Sequence, residues 1–138
     1  MEKICKIEPF KAIMQTSKNI QDQIRLEISK NNLNLTEFSV LETLYLKGKQ
    51  NIHQVGKSIL ISSGSMTYVI DKLEKKELLQ RTECPDDRRA LYITLTEKGE
   101  EFMAQMMPEF QDFIAQMFEH LSHEEGLTLI QLLKKVKT

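Results

Sequence analysis

The chain has 138 residues, 41% hydrophobic and 28% charged, which excludes a disordered or fibrous protein. A chain of this length forms one domain with a buried core, or one domain with helical extensions. No apolar run is as long as a membrane span, which needs about 18 residues, and residues 1–10 are too charged for a signal peptide. The two cysteines are far apart in the sequence and form no disulfide framework. These features predict a cytoplasmic protein without membrane contact.

The charge is unevenly distributed along the chain. The net charge is −1 and the sequence pI about 6.3, and these totals taken alone argue against a nucleic-acid partner. Residues 43–81 nevertheless carry seven basic against three acidic side chains, whereas residues 82–138 carry six against eleven. This asymmetry is typical of a protein with one anion-facing region, although a solvated helix face can produce it as well.

The first half of the chain shows helical periodicity. A first helix is predicted over 9–30, with Pro9 in its first turn and the Asn31-Asn32 pair at its end. A second is predicted over 36–47, with Thr36 as its N-cap and Gly48 after its last residue. A short third helix is predicted over 52–59 with Asn51 as its cap, and a fourth opens at the small polar segment 62–65.

The period then changes to that of strands. Residues 79–83 and 91–95 alternate between apolar and polar side chains, and the charged segment 84–90 between them contains Pro85. This pattern predicts a two-stranded ribbon with an exposed tip, which must pack on the preceding helices to be stable.

From Thr96 onward the helical period returns. Apolar residues continue from Phe102 to Leu121 through a helix that contains Pro108, and Ser122 with Glu125 predicts the capping box of a last helix. The methionines of this region are expected to be packing residues. His120 and His123 have no third ligand at a diagnostic distance, so we predict neither a metal site nor a cofactor.

The order of elements is that of a winged helix-turn-helix with additional helices at both ends. A helix that enters the DNA major groove needs a small, polar first turn, and a wing that reaches the minor groove needs a long cation at its tip. The candidate DNA-binding residues are Ser62, Ser63, Gly64, Ser65, Thr67, Tyr68 and Lys72 on the fourth helix and Arg88 and Arg89 in the ribbon. The serines could instead serve only as an N-cap cluster.

Two stretches resemble the MarR family of bacterial transcriptional regulators. Asp87-Arg88-Arg89 followed by Leu95-Thr96-Glu97-Lys98-Gly99 matches the DxRxxxxxLTxxG wing signature of that family. Residues 62–76 resemble its recognition helix, and the helix order matches over nearly the whole chain.

The resemblance implies a fold that is mainly α with a small two-stranded β-wing. Residues 35–96 would form the winged helix-turn-helix, and residues 1–34 and 97–138 the helical dimerisation region of a homodimer on a pseudo-palindromic operator in double-stranded DNA. Arg89 would enter the minor groove and Asp87 would orient it, although the two could form only a surface ion pair. Two positions depart from the family pattern: Glu77 stands where a glycine is usual, and Cys84 where an aspartate is common.

Regulation is predicted by the same resemblance. A small apolar or phenolic ligand between the winged helix and the dimerisation helices would release the DNA.

Cys84 is a candidate redox or electrophile sensor because Arg88 and Arg89 favour its thiolate, although the acidic residues beside it oppose that effect. One branch of the family senses organic hydroperoxides through a cysteine early in the first long helix. That position falls near Gln15 here and is not a cysteine, so the peroxide mechanism does not carry over to this chain.

Other classes of protein fit less well. The sequence has no glycine-rich phosphate loop and no nucleophile with a paired base, so no catalytic residue and no enzymatic activity are predicted. A winged-helix adaptor that binds protein instead of DNA is the remaining alternative. DNA binding through lysine and arginine weakens steeply with salt, which distinguishes the two.

Overall fold

The computed structural model describes the backbone of residues 2–59, 65–84 and 87–138, and the side chains of residues 7–59, 65–83 and 91–138. The elements in chain order are α1 (Glu2–Ser29), α2 (Leu35–Lys47), β1 (Gln50–Asn51), α3 (Ile52–Ser58), α4 (Met66–Lys75), β2 (Leu79–Cys84), β3 (Asp87–Leu95), α5 (Glu97–Met117) and α6 (His123–Lys134). The mainly helical architecture with a small wing is confirmed.

Two helix starts differ from the sequence prediction. Helix α1 begins at Glu2, so Pro9 lies inside the helix and not in its first turn. The N-cap of α2 is Asn34, not Thr36: the Asn34 side chain accepts a hydrogen bond from the Glu37 amide, and the Glu37 carboxylate accepts one from the Asn34 amide. A glutamate three residues after the cap completes this capping box for Asn34, whereas Thr36 has no such partner position.

The sheet has three strands, one more than predicted. Strand β1 pairs antiparallel with β3, giving the order β1-β3-β2, and its two residues are too few to show an alternating pattern. Strand β3 begins at Asp87, four residues earlier than the predicted start at Leu91, so Arg88 and Arg89 belong to a strand. The β2–β3 ribbon runs in register from Leu79 opposite Leu95, with an irregularity at Glu83 and Cys84.

The chain divides into two compact units, residues 1–103 and 104–138. The core of the first unit combines apolar side chains of its helices with the inner face of the sheet, and its fully buried members include Ile28, Leu41, Leu44, Val55, Ile70, Leu73, Leu79 and Ile93. The buried residues of α3 and α4 are Val55 and Val69, Ile70 and Leu73, respectively. Met103, Met106 and Met107 are also buried, which confirms their packing role.

The second unit comprises the rest of α5 and the whole of α6. The predicted capping box of α6 is confirmed, since the Ser122 side chain accepts from the Glu125 amide and the Glu125 carboxylate accepts from the Ser122 amide. Helix α6 has no buried residue, although five of its residues are leucine or isoleucine. Across the described parts of the chain, no helix combines the length and the apolar character needed to cross a membrane.

Candidate nucleic-acid interface

The first turn of α4 presents polar side chains to solvent. Ser65 is its N-cap residue, but its side chain makes no capping hydrogen bond, and Thr67 and Tyr68 are exposed. A serine hydroxyl that does not cap its own helix keeps its hydrogen-bonding capacity for another partner. Ser62, Ser63 and Gly64, the other predicted members of this turn, lie outside the described residues.

Helix α4 has one buried face and two exposed strips. Val69, Ile70 and Leu73 are buried against the core. At 100° per residue, Tyr68, Lys72 and Lys75 follow one another along one side of the exposed surface, and we call these three residues the cationic strip. The Lys72 Nζ lies 5.7 Å from the centroid of the Tyr68 ring, a cation–π contact.

The other side of α4 carries the two acidic residues of the helix. Asp71 lies one turn after Thr67, and Glu74 follows it three residues later. We call Asp71 and Glu74 the acidic strip. Their side chains are about half exposed, at 49% and 42%.

Arg81 of β2 contacts both carboxylates of the acidic strip. Its Nη1 donates to Glu74 Oε1 at 2.8 Å, and its Nη2 donates to Asp71 Oδ1. The hydrogen bond to Asp71 raises the pKa of Arg81 above its ordinary value, partial burial opposes this rise, and the charge of Glu74 adds to it. Arg81 is one of the seven basic residues of the segment 43–81, and the charge count of that segment did not reveal this pairing. The available signal was an arginine on the strand directly after a helix with two acidic residues on one side.

A second group of contacts holds the turn that follows α4. Lys76 Nζ donates to the Asn32 carbonyl oxygen at 2.7 Å and to Glu37 Oε2 at 3.2 Å. Glu37 is 2% exposed, so this ion pair reaches a buried carboxylate. Glu77 has a φ of 63°, which shows that this position needs the left-handed conformation that a glycine adopts at lower cost.

We expect Lys76→Ala to lower the free energy of unfolding by about 1–3 kcal/mol, because it leaves the buried Glu37 carboxylate without its charged partner. Lys75→Ala is the matched control, since Lys75 is exposed and its removal should change stability by less than about 0.5 kcal/mol. Urea unfolding at one fixed protein concentration measures both. Equal stability of the two variants would show that the Lys76 contacts contribute nothing.

The start of α5 closes over the same turn. Thr96 Oγ1 donates to the Glu77 carbonyl at 2.6 Å and accepts from the Gly99 amide at 3.0 Å, so Thr96 caps this helix. The Thr96 amide donates to the Leu78 carbonyl oxygen at 3.1 Å. A Cβ added at Gly99 would lie 2.0 Å from that same oxygen. The Leu-Thr-x-x-Gly stretch therefore joins α5 to the end of α4.

The sheet side of the winged region also carries basic residues. Lys49, directly before β1, places its Nζ 4.5 Å from the centroid of the Tyr92 ring on β3. Lys47 at the end of α2 donates to the Ser58 hydroxyl at 3.0 Å. These two lysines are therefore held by neutral partners and keep their charge unneutralised in these contacts.

The predicted wing residues lie on the ribbon. Cys84 ends β2 opposite Asp87, the first residue of β3, and Arg88 and Arg89 follow on the same strand. The side chains of these residues are outside the described part of the chain, so the predicted orientation of Arg89 by Asp87 stays a prediction. Among the residues that the structure describes, no three His, Cys, Asp or Glu side chains are grouped so as to hold a metal ion.

Helices α2–α4 followed by the β2–β3 ribbon, with β1 on the same sheet, define a winged helix-turn-helix protein. A family model for the MarR family matches residues 33–91. The HTH-type transcriptional regulator MhqR of Bacillus subtilis (strain 168) is 43% identical over 127 residues, covering 92% of this chain and 88% of that protein. The transcriptional repressor MprA of Escherichia coli (strain K12) is 30% identical over 136 residues, covering 93% of this chain and 77% of that protein.

Solved structures agree on the fold. A mutant of MarR from Escherichia coli, complexed with operator DNA, matches with a TM-score of 0.82 at 23% identity over 96% of each chain. The chain belongs to the MarR family, and it is a DNA-binding transcriptional regulator. The family and relatives are regulators and not enzymes.

Proposed function

We propose that this protein is a dimeric repressor that binds a pseudo-palindromic operator in the cytoplasm, with α4 in the major groove and the β2–β3 ribbon at the adjacent minor groove. The observation that carries this proposal is the exposed polar start of α4, where Ser65 does not cap its own helix and Thr67 and Tyr68 face solvent. The first residues of a recognition helix are the ones that reach base edges. The relative MprA is a transcriptional repressor.

Lys72 and the ribbon arginines fit this arrangement. Lys72 makes its described contact with an aromatic ring and not with a carboxylate, so its charge remains available for a phosphate. Arg88 and Arg89 lie on the strand that leads away from the ribbon tip, and arginine is the side chain that narrow minor grooves attract most. Under this proposal residues 35–96 contact DNA, and residues 1–34 and 97–138 supply the dimerisation region.

A duplex selected from a random-sequence library tests the proposal. We expect the protein to bind the selected duplex more tightly than a scrambled one, with an affinity that falls steeply as salt rises, because lysine and arginine displace condensed counterions. Binding that is absent, or that does not depend on salt, would contradict the proposal. That result would favour the adaptor alternative.

The dimer is expected from apolar surface at both ends of the chain. Phe10 and Met14 share one face of α1 and are 62% and 56% exposed, and Ile130 and Leu133 share one face of α6 and are 50% and 46% exposed. Contiguous apolar surface of this kind is covered in stable proteins, and a second copy of the chain covers it symmetrically. Sedimentation at micromolar concentration should give the mass of a dimer. A stable monomer would contradict the proposed dimerisation region.

Release of the operator is proposed through a small apolar or phenolic ligand, or through modification of Cys84. A ligand can release DNA only if it binds the DNA-incompetent spacing of the two recognition helices more tightly than the competent one. A solved structural relative, BpsR of Bordetella bronchiseptica, is regulated in its DNA binding by 6-hydroxynicotinic acid. A screen of phenolic compounds that leaves DNA affinity unchanged would contradict the ligand route.

The cysteine route makes a separate prediction. An electrophile such as a quinone should weaken DNA binding by the parent protein more than by Cys84→Ser, because only the parent gains bulk at the base of the wing. The DNA-binding assay is run before and after treatment, with Cys5→Ser as the control for the other thiol. Equal sensitivity of the parent and Cys84→Ser would remove Cys84 from the mechanism.

A further inference from the structure

The recognition helix carries two carboxylates that DNA would repel. Asp71 and Glu74 are the only acidic residues of α4, and both side chains are about half exposed. Asp71 lies one helical turn from Thr67, so it is on the surface that the proposed function turns toward DNA. A carboxylate beside the phosphate backbone disfavours DNA binding, because the carboxylate and the phosphate are both negative. Their repulsion is stronger where the interface excludes part of the water between them.

Arg81 is placed to cancel this repulsion. It follows Leu79 by two residues and therefore lies on the same face of β2 as this buried leucine. From there its guanidinium reaches both carboxylates of the acidic strip with separate nitrogen atoms, at 2.8 Å for Glu74. The Arg81 side chain is 23% exposed, so it is partly withdrawn from solvent while the two carboxylates are more open.

The two sides of α4 then differ in charge. On the cationic strip, Lys72 contacts a ring, and neither Lys72 nor Lys75 has a carboxylate partner among the described side chains. On the acidic strip, two negative charges share one arginine. With Arg81 counted, α4 and its partner carry three positive and two negative charges; without Arg81 the counts are equal.

We propose that Arg81 is a positioning residue for DNA binding, which acts by neutralising Asp71 and Glu74 so that α4 can approach the phosphates. This inference rests on the proposed placement of α4 in the major groove. Under it, Arg81 acts on DNA affinity through the two carboxylates and not through a contact of its own with the DNA.

The test is a rescue experiment with the selected duplex. Arg81→Ala should weaken binding about tenfold or more at low salt, because both carboxylates are then uncompensated. Adding Asp71→Asn and Glu74→Gln to that variant should restore affinity to within about threefold of the parent, since the amides keep the shapes but carry no charge. The deficit of Arg81→Ala should also shrink as salt rises, because screening weakens the repulsion.

Two controls separate this role from a purely structural one. Arg25→Ala removes the same charge and a similar ion pair, with Asp22 on α1, and should change affinity by less than about twofold because this exposed pair lies on another helix. Asp71→Asn with Glu74→Gln in the presence of Arg81 should bind at least as tightly as the parent. Thermal unfolding by circular dichroism checks that every variant is folded.

The outcomes distinguish the inference from the proposed function. A triple variant as weak as Arg81→Ala would show that Arg81 holds α4 in place by its contacts, which overturns the neutralising role. Parent-like binding by Arg81→Ala would overturn it as well. Failure of the parent to bind any selected duplex would overturn the proposed function, and this inference with it.

Discussion

Gly99→Ala should destabilise the protein by about 3 kcal/mol or more, the largest effect on stability that we expect from a single methyl group. The added Cβ would lie 2.0 Å from the Leu78 carbonyl oxygen and 3.0 Å from the Leu78 carbonyl carbon. Both atoms belong to the backbone, so no side-chain rotation can relieve the overlap. Either the start of α5 or the turn after α4 must move, and the Thr96 hydrogen bonds link the two.

Gly56→Ala is the matched control for this substitution. Gly56 lies inside α3, and among the described residues a Cβ there would meet Met66 Cγ at an ordinary distance of 3.8 Å. Because alanine is the better helix former, this variant should be more stable than the parent by up to about 1 kcal/mol. Thermal or urea unfolding measures both. A Gly99→Ala protein as stable as Gly56→Ala would contradict the close approach of α5 to Leu78.

Arg89→Ala should weaken operator binding by about 1–3 kcal/mol, which is a loss of roughly 5- to 150-fold in affinity. The fold and the dimer should remain intact, because Arg89 is a charged residue of the ribbon and charged side chains rarely form part of a core. Fluorescence anisotropy with the selected duplex at moderate salt measures the loss. Lys135→Ala, at the end of α6, removes the same charge outside the proposed DNA-binding region and serves as the control.

Substitutions on α4 should change the sequence preference of DNA binding more than its overall affinity. Ser65→Ala or Thr67→Ala should reduce the preference for the selected duplex over a scrambled one, because these side chains would face base edges or nearby phosphates. Arg89→Ala that binds like the parent would show that the wing is structural. In that case the adaptor alternative would gain support.

The periodicity of the sequence was sufficient to predict the helices and the ribbon. Buried residues such as Val55, Ile70 and Leu73 recur at helical spacing, and the alternation at 79–83 and 91–95 was long enough to indicate strands. Strand β1 was not predicted, because two residues are too few to show the alternation of a strand. The N-cap at Asn34 was missed because several residues before α2 could cap it, and the partner glutamate decides among them.

The resemblance in the wing signature was enough to predict the family, because spacing and residue type are properties of the sequence alone. The physical role of that signature was decided by the tertiary structure. Gly99 is required because α5 passes close to the Leu78 carbonyl, and Thr96 contacts the turn after α4 on one side and its own helix on the other. Those contacts join residues about 20 positions apart, so no local pattern shows them.

The charged residues show most clearly what the sequence determined and what the tertiary structure decided. The sequence by itself determined that residues 43–81 carry an excess of basic side chains. Only the folded chain decided how that charge is used: Arg81 is paired with Asp71 and Glu74, and Lys76 with the buried Glu37, whereas Lys72 meets an aromatic ring. Electrostatic energy depends on distance through space, and the fold alone sets which side chains come within a few ångströms of each other.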